Sequence, residues 1–239
     1  MLNKDLVELS ELMSGGETEI IPIMTEENIK DLSVSDMPEL LPILPLKGNV
    51  FFPGVIIPIN AGREKSVKLI KTAYKNKQII GIVAQKSADI EDPTTADLYK
   101  VGTMAKVIKT LNMPDGTTMV ILQGMDRFSL EELVQTEPYW VGKAIEYPDG
   151  AKELPENYMA LAEAVKDMYL RVLKMVPNIP ADPSFAIQNI ENPYFLLNYV
   201  AAHLDVNVSE KQKLLETNDF SKRANKVLSI LSKELELQK

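Results

Sequence analysis

Between Leu41 and Tyr147 the apolar residues fall in short alternating runs, whereas from Pro155 onward they recur every three or four positions. The first pattern predicts strands and the second helices, so the fold class reads as α+β, a small β-domain with one inserted helix followed by an all-α helical bundle. The predicted strands are Val55 to Ile59, Ile79 to Gln85, Val101 to Thr110, Thr117 to Gln123, Phe128 to Val134 and Tyr139 to Glu146, each rich in β-branched or aromatic residues. Asn112-Met113-Pro114-Asp115-Gly116 is a hairpin signal, because proline presets the turn and glycine takes the positive-φ position that closes it. The inserted helix spans Arg63 to Asn76, with Val67, Ile70 and Tyr74 toward the core and lysines on the other face.

In the second half Tyr158, Leu161, Val165, Met168, Val172 and Val176 make one apolar stripe on a helix from Pro155 to Val176, ended by Pro177 and Pro180. Shorter helices follow over Pro183 to Ile190, Pro193 to Leu204, and Ser209 to Glu216 with Ser209 as the cap. The last opens at Asn218-Asp219 and runs to Lys239 with no stop signal, so it reads as a helix that is cut or continues. Three regions result: a leader over 1–40, a β-domain over 41–148 and a bundle over 150–239. The two folded regions are expected to pack as separate units joined at Pro148-Asp149-Gly150.

Composition narrows the class further. The chain has 239 residues, 45% hydrophobic and 25% charged, as ordinary globular proteins have. No apolar run approaches the roughly 18 residues of a membrane span, and the amino terminus is acidic where a targeting leader is basic. A cytoplasmic protein without membrane partners is expected. The net charge of −8 sits entirely in residues 1–40, which carry ten acidic and two basic residues. That leader reads as solvated and largely disordered, with Leu6, Leu9 and Leu12 spaced for a short helix, while the rest of the chain is electrically balanced. With zero cysteines, disulfides, thiolate metal sites and a cysteine nucleophile are excluded.

Leu44 to Ile59 is the most unusual stretch. Its three prolines, Pro45, Pro53 and Pro58, argue against a helix or a central strand and predict short edge-like strands around an exposed turn. That turn carries two adjacent phenylalanines between Gly48 and Gly54. One of them is expected to tuck inward; an exposed partner beside Val50, Val55 or Ile56 would form an apolar interaction patch. The candidate substrate-binding residues are therefore Val50, Phe51, Phe52, Pro53, Val55 and Ile56. Met104, Met113, Met119 and Met125 are adaptable apolar groups near the strands, suited equally to binding and to core filling.

No residue constellation points to catalysis or to a metal. No Gly-x-x-x-x-Gly-Lys-Ser/Thr or Gly-x-Gly-x-x-Gly occurs, and the Gly48 to Gly54 loop lacks the lysine and following helix of a nucleotide site. His203, the single histidine, reads as a packing or surface residue on its helix. Glu131-Glu132 and the Asp89, Glu91, Asp92 cluster read as solvated turns, not as paired acid and base. Lys65, Lys68, Lys71, Lys75 and Lys77 give the inserted helix a basic face, but aromatic platforms for unpaired bases are sparse.

Leu44-Pro45-Leu46, Phe52-Pro53-Gly54 with Pro58, Gly62-Arg63-Glu64 with Ser66, and Asp97-Leu98-Tyr99 with Val101-Gly102-Thr103 together resemble the amino-terminal region of the Lon family of ATP-dependent proteases. Gly124 with Arg127, and Glu210-Lys211-Gln212-Lys213-Leu214-Leu215-Glu216 with Arg223, extend the resemblance to residues 41–239. It implies a PUA-like β-domain joined to a helical bundle, acting as a substrate-recognition and assembly region. It also implies that the ATPase and serine-lysine protease modules lie elsewhere, that ATP and Mg belong to the ATPase module with no cofactor here, and that the parent is a homo-hexamer. The implied partners are exposed hydrophobic segments of unfolded or damaged proteins. The alternative reading is a free-standing PUA-like RNA-binding module, which the balanced charge of the body disfavours.

Purified on its own, the chain is expected to hydrolyse neither ATP nor peptides. Turnover that co-purifies with it and survives repurification would contradict the assignment.

Overall fold

The computed structural model describes residues 37–147, 154–175 and 184–237. Most of the leader, the Pro148-Asp149-Gly150 joint and the stretch holding Val176, Pro177 and Pro180 lie outside the described residues.

Six strands form one sheet in the order β2-β5-β4-β3-β1-β6, and β6 returns to pair with β5. They are β1 (Leu40–Leu46), β2 (Ile56–Ala61), β3 (Ile80–Ala84), β4 (Val101–Asn112), β5 (Thr118–Gln135) and β6 (Val141–Glu146). The β5–β6 pairing closes a five-stranded ring. β5 is long enough to serve two neighbours on one side: Thr118 to Gln123 hold β2, and Phe128 to Gln135 hold β6. β1 changes partners in the same way, pairing β6 antiparallel over Leu40 to Pro42 and β3 parallel over Ile43 to Leu46. The second half of β1 and the outer side of β2 are therefore left facing each other without hydrogen bonds between them.

Several expectations change here. β1 is an inner strand despite Pro42 and Pro45, because each proline sits in a half of the strand that needs only one partner. The predicted strands at Thr117 and Phe128 are one strand, continuous through Gly124, Met125 and Asp126. The hairpin between β4 and β5 has the expected chemistry, with Gly116 at φ 85° and its N–H donating to the Met113 carbonyl at 3.1 Å.

Helix α1 (Glu64–Asn76) buries Ser66, Leu69, Ile70 and Ala73, while Tyr74 is 46% exposed, so the buried face is turned away from the predicted one. Five further helices follow: α2 (Tyr158–Met175), α3 (Ser184–Gln188), α4 (Pro193–His203), α5 (Val208–Glu216) and α6 (Phe220–Leu237). α4 is buried along most of its length, as its nearly uniform apolar composition requires. The cap of α5 is Asn207, which accepts from the Glu210 N–H at 2.9 Å, and not Ser209. Asp219 caps α6 by accepting from the Lys222 N–H at 2.7 Å.

Sheet and bundle share one core. A single apolar cluster runs from Phe52, Val55 and Leu122 of the β-domain to Phe195, Leu215 and Val227 of the helices. A second cluster, with Ile43, Met104, Met125, Phe128 and Trp140, belongs to the β-domain alone. Polar contacts also join the halves, those of Arg127 and Gln212 buried and that of Tyr147 partly so. Arg127, 5% exposed, donates to the Leu215 carbonyl at 2.6 Å, Gln212 donates to the Val101 carbonyl at 2.9 Å, and the Tyr147 hydroxyl donates to the Glu216 carbonyl at 2.9 Å. The expectation of two separate packing units is corrected by this continuity.

Unfolding is accordingly expected to be one transition, with the near-ultraviolet signal of Trp140 and the helical signal at 222 nm lost together. Arg127→Ala should lower both midpoints in step by about 4–8 °C, from the roughly 2 kcal/mol cost of leaving the buried Leu215 carbonyl unpaired. A strand signal that outlives the helical one would contradict the shared core.

Candidate functional site

The Phe51-Phe52 turn is enclosed on all sides. Val50, Phe51, Phe52 and Val55 are all buried, Phe52 completely, and only Pro53 and Ile56 are partly exposed. The backbone explains how one short turn buries two large rings. The Thr103 hydroxyl donates to the Phe51 carbonyl at 2.6 Å, Gly54 N–H donates to the Gly124 carbonyl at 3.1 Å, and Gly124 N–H returns a bond to Val55 at 2.9 Å. Gly54 adopts φ 80°, and a Cβ there would stand 2.7 Å from the Phe195 ring of α4. A Cβ on Gly124 would stand 2.5 Å from the Phe52 carbonyl oxygen. Sequence reasoning placed this turn at the surface, with at least one ring tucked inward, because a proline-glycine turn is ordinarily exposed; here the helical half of the chain covers it.

The motif residues downstream hold the same junction. Arg223 donates from Nε to the Leu214 carbonyl at 2.9 Å, beside the Arg127 contact to Leu215, so two guanidinium groups meet the carbonyl end of α5 where a cation is favoured. Lys211 donates to the Ala202 carbonyl at 2.8 Å and lies 3.4 Å from the Asn49 side-chain oxygen, and its burial lowers its pKa. His203 contacts the Tyr199 carbonyl through Nδ1 at 2.7 Å, as a helix residue in local packing does.

The acidic cluster is spent on ion pairs. Glu91 pairs with Lys47, and Asp92 with Lys65, which also meets Glu137 at 2.8 Å. The lysine face of α1 is thus partly neutralised at Lys65, while Lys68 pairs with Glu64 at 2.7 Å. Among the described residues no cluster of His, Asp and Glu could hold a metal ion.

Among the described residues an accessible gap lies between β1 and β2. It forms a cavity of about 610 Å3 floored by Leu44, Leu46, Ile57 and Ile59 and closed at one end by Gly62 to Ser66 at the start of α1. Arg63 bridges its rim. The guanidinium donates to the Gln85 side-chain oxygen at 2.6 Å and to the Pro45 carbonyl, and its carbon lies 5.2 Å from the centre of the Trp140 ring. Burial lowers its pKa, while Glu91 and Asp92 work in the opposite direction. Ser66 is 2% exposed, and its hydroxyl has no hydrogen-bond partner, a cost of about 1–3 kcal/mol. Sequence reasoning quoted Gly62-Arg63-Glu64 with Ser66 as a motif without seeing this cavity, since the gap exists only once β1 and β2 are placed side by side.

A family model described as the ATP-dependent protease La (LON) substrate-binding domain matches residues 40–233. The chain belongs to the Lon protease family. It is 41% identical over 240 residues to the Lon protease of Flavobacterium johnsoniae, covering 99% of this chain and 29% of that protein. It is 39% identical over 220 residues to the Lon protease of Cytophaga hutchinsonii, covering 92% and 27%. The chain thus spans less than a third of these curated relatives. Its fold is similar to that of the N-terminal domain of a Mycobacterium avium complex Lon protease, with TM-score 0.64 and 18% identity, covering 81% of this chain and 98% of that one. A Lon N-terminal domain protein from Xanthomonas campestris aligns with TM-score 0.57 and 18% identity, covering 80% and 97%. In this Lon substrate-binding region the motifs at Phe52 to Gly54, at Gly124 with Arg127, and at Glu210 to Glu216 with Arg223 join sheet to bundle, whereas Leu44 to Leu46 and Gly62 to Ser66 border the gap.

Phe52→Ser should cost about 3–5 kcal/mol and Gly54→Ala about 2 kcal/mol, both read as a lowered Tm. A Phe52→Ser protein that melts like the parent would show the turn to be open to solvent and return it to the list of binding surfaces.

Proposed function

We propose that this chain is the substrate-engaging front of a Lon-type ATP-dependent serine protease, holding exposed hydrophobic segments of unfolded or damaged proteins and performing no catalysis itself. In this reading ATP hydrolysis, its Mg ion and peptide cleavage belong to parts of the parent protein beyond this region. Hexameric assembly of the parent would place six such grooves together, raising the effective concentration for weak capture.

The observation that carries the reading is the concave gap between β1 and β2, lined by Leu44, Leu46, Ile57 and Ile59 between strand edges that do not pair. Of the six residues predicted to bind substrate, Val50, Phe51, Phe52 and Val55 are buried and none of them lines the gap. Pro53 and Ile56 keep part of their surface, and Ile56 opens the strand that lines the gap. The capture we propose is apolar contact along Ile57 and Ile59, a mode that retains its strength in high salt.

Anisotropy of a labelled, reduced and alkylated model protein tests this directly. Ile59→Lys places a solvated charge on the groove floor and should weaken binding about tenfold, near 1.4 kcal/mol, while Tm falls by only a few degrees. Binding that is unchanged by Ile59→Lys, or that disappears on raising salt to about 0.5 M, would overturn it.

A further inference from the structure

The unpartnered hydroxyl of Ser66 lies among the residues that line the β1–β2 gap, in the first turn of a 13-residue helix. That helix begins without a side-chain cap, because Arg63 at the cap position has only donors to offer and no acceptor for the first-turn amides; its guanidinium donates to Gln85 and Pro45. Uncapped first-turn amides and the positive end of the helix dipole favour an anion there. The charges around the gap agree in sign and size. Lys47 and Arg63 face the single carboxylate of Glu91, which leaves one positive charge in excess. Glu64 pairs with Lys68, and Asp92 pairs with Lys65 while also acting on Arg63.

The remainder of the gap is lined mainly by apolar residues of β1 and β2, with Asn49 and Asn60 among them. Its two sides are strand edges that find no partner across it. A ligand that fits must be extended, apolar along its length, and singly anionic at one end.

We propose that the gap receives the carboxyl-terminal tail of a substrate polypeptide, with the α-carboxylate accepting hydrogen bonds from the Ser66 hydroxyl and the first-turn amides of α1 and the last apolar side chains resting on Leu44, Ile57 and Ile59. A chain end alone places a carboxylate on the backbone flush with an apolar side chain, and the gap stops where α1 begins. A phosphate would bring a second charge for which no free cation stands in the gap. Strand edges supply further main-chain contacts, as in other domains that lengthen a sheet with a bound peptide. This inference rests on the substrate-binding reading and names the part of the substrate that is held.

The test uses the whole chain and a fluorescein-labelled octapeptide whose last four residues are apolar, prepared with a free carboxylate and as its amide. The free acid should bind at least tenfold more tightly than the amide. Ser66→Ala should weaken the free acid three- to tenfold and leave the amide unaffected, with Tm unchanged or higher because an unpartnered buried hydroxyl is removed. Ser66→Cys, which keeps the volume with a weaker donor, should behave likewise. Equal affinities for acid and amide, no binding of either, or a preference that survives both Ser66 variants would overturn the proposal. If the acid and amide bind alike while the unfolded model protein is still captured in the manner sensitive to Ile59→Lys, the substrate-binding reading stands and the carboxylate inference alone falls.

Discussion

Everything else in this fold depends on how the turn from Val50 to Val55 is wedged between sheet and helices. Two phenylalanine rings from adjacent positions point into apolar surroundings that neither half of the chain supplies alone. The wedge works because two glycines let backbone approach where any side chain would collide: Gly54 under the Phe195 ring, and Gly124 under the Phe52 carbonyl. Burial of two such rings contributes on the order of 3–6 kcal/mol, which is comparable with much of a domain's net stability. The β-domain therefore lacks part of its core without the bundle, and the unit that folds is the pair.

Apolar contact of this kind has little directional preference, and the orientation of the bundle is decided by polar groups. The carbonyl end of α5 points into the interface, where its unsatisfied acceptors would be costly. Arg127, Arg223 and Tyr147 supply the donors, and Arg127 also lies 5.0 Å from the centre of the Tyr147 ring. Each of these bonds contributes modestly to net stability, because burying a guanidinium is itself expensive. Their effect is on register. A bundle shifted by one helical turn would leave two buried cations facing apolar side chains.

Local chemistry was legible in the sequence, and partnership across the chain was not. The hairpin at Pro114-Asp115-Gly116, the apolar stripe through Val165 and Val172, and the proline-led start of α4 follow from neighbouring residues, and they were readable as such. The face of α1 was misjudged because Val67, Ile70 and Tyr74 fit a helical period as well as Leu69, Ile70 and Ala73 do, and only the strands beneath decide between them. Pro45 made β1 look peripheral, yet a strand that changes partner midway tolerates a missing donor on each unneeded side. The burial of both phenylalanines needed Phe195, more than 140 positions away, and no local signal carries that information. The β1–β2 gap is the same kind of property, since its walls come from strands that never pair.

Why that gap stays open is itself a matter of proline. Pro45 in β1 and Pro58 in β2 stand on the strand edges that face it, and each removes a donor that a closing ladder would use. Arg63 occupies the Pro45 carbonyl as well, so the most direct acceptor on that edge is already engaged. The two edges consequently cannot zip to complete the barrel. Their carbonyl groups can still accept from a peptide that brings its own N–H groups. An edge that resists pairing with its neighbour in the fold yet accepts a transient strand is suited to weak and repeated capture. The unoffset cost of the Ser66 hydroxyl fits the same logic, because a buried donor with nothing to donate to is relieved only when something arrives.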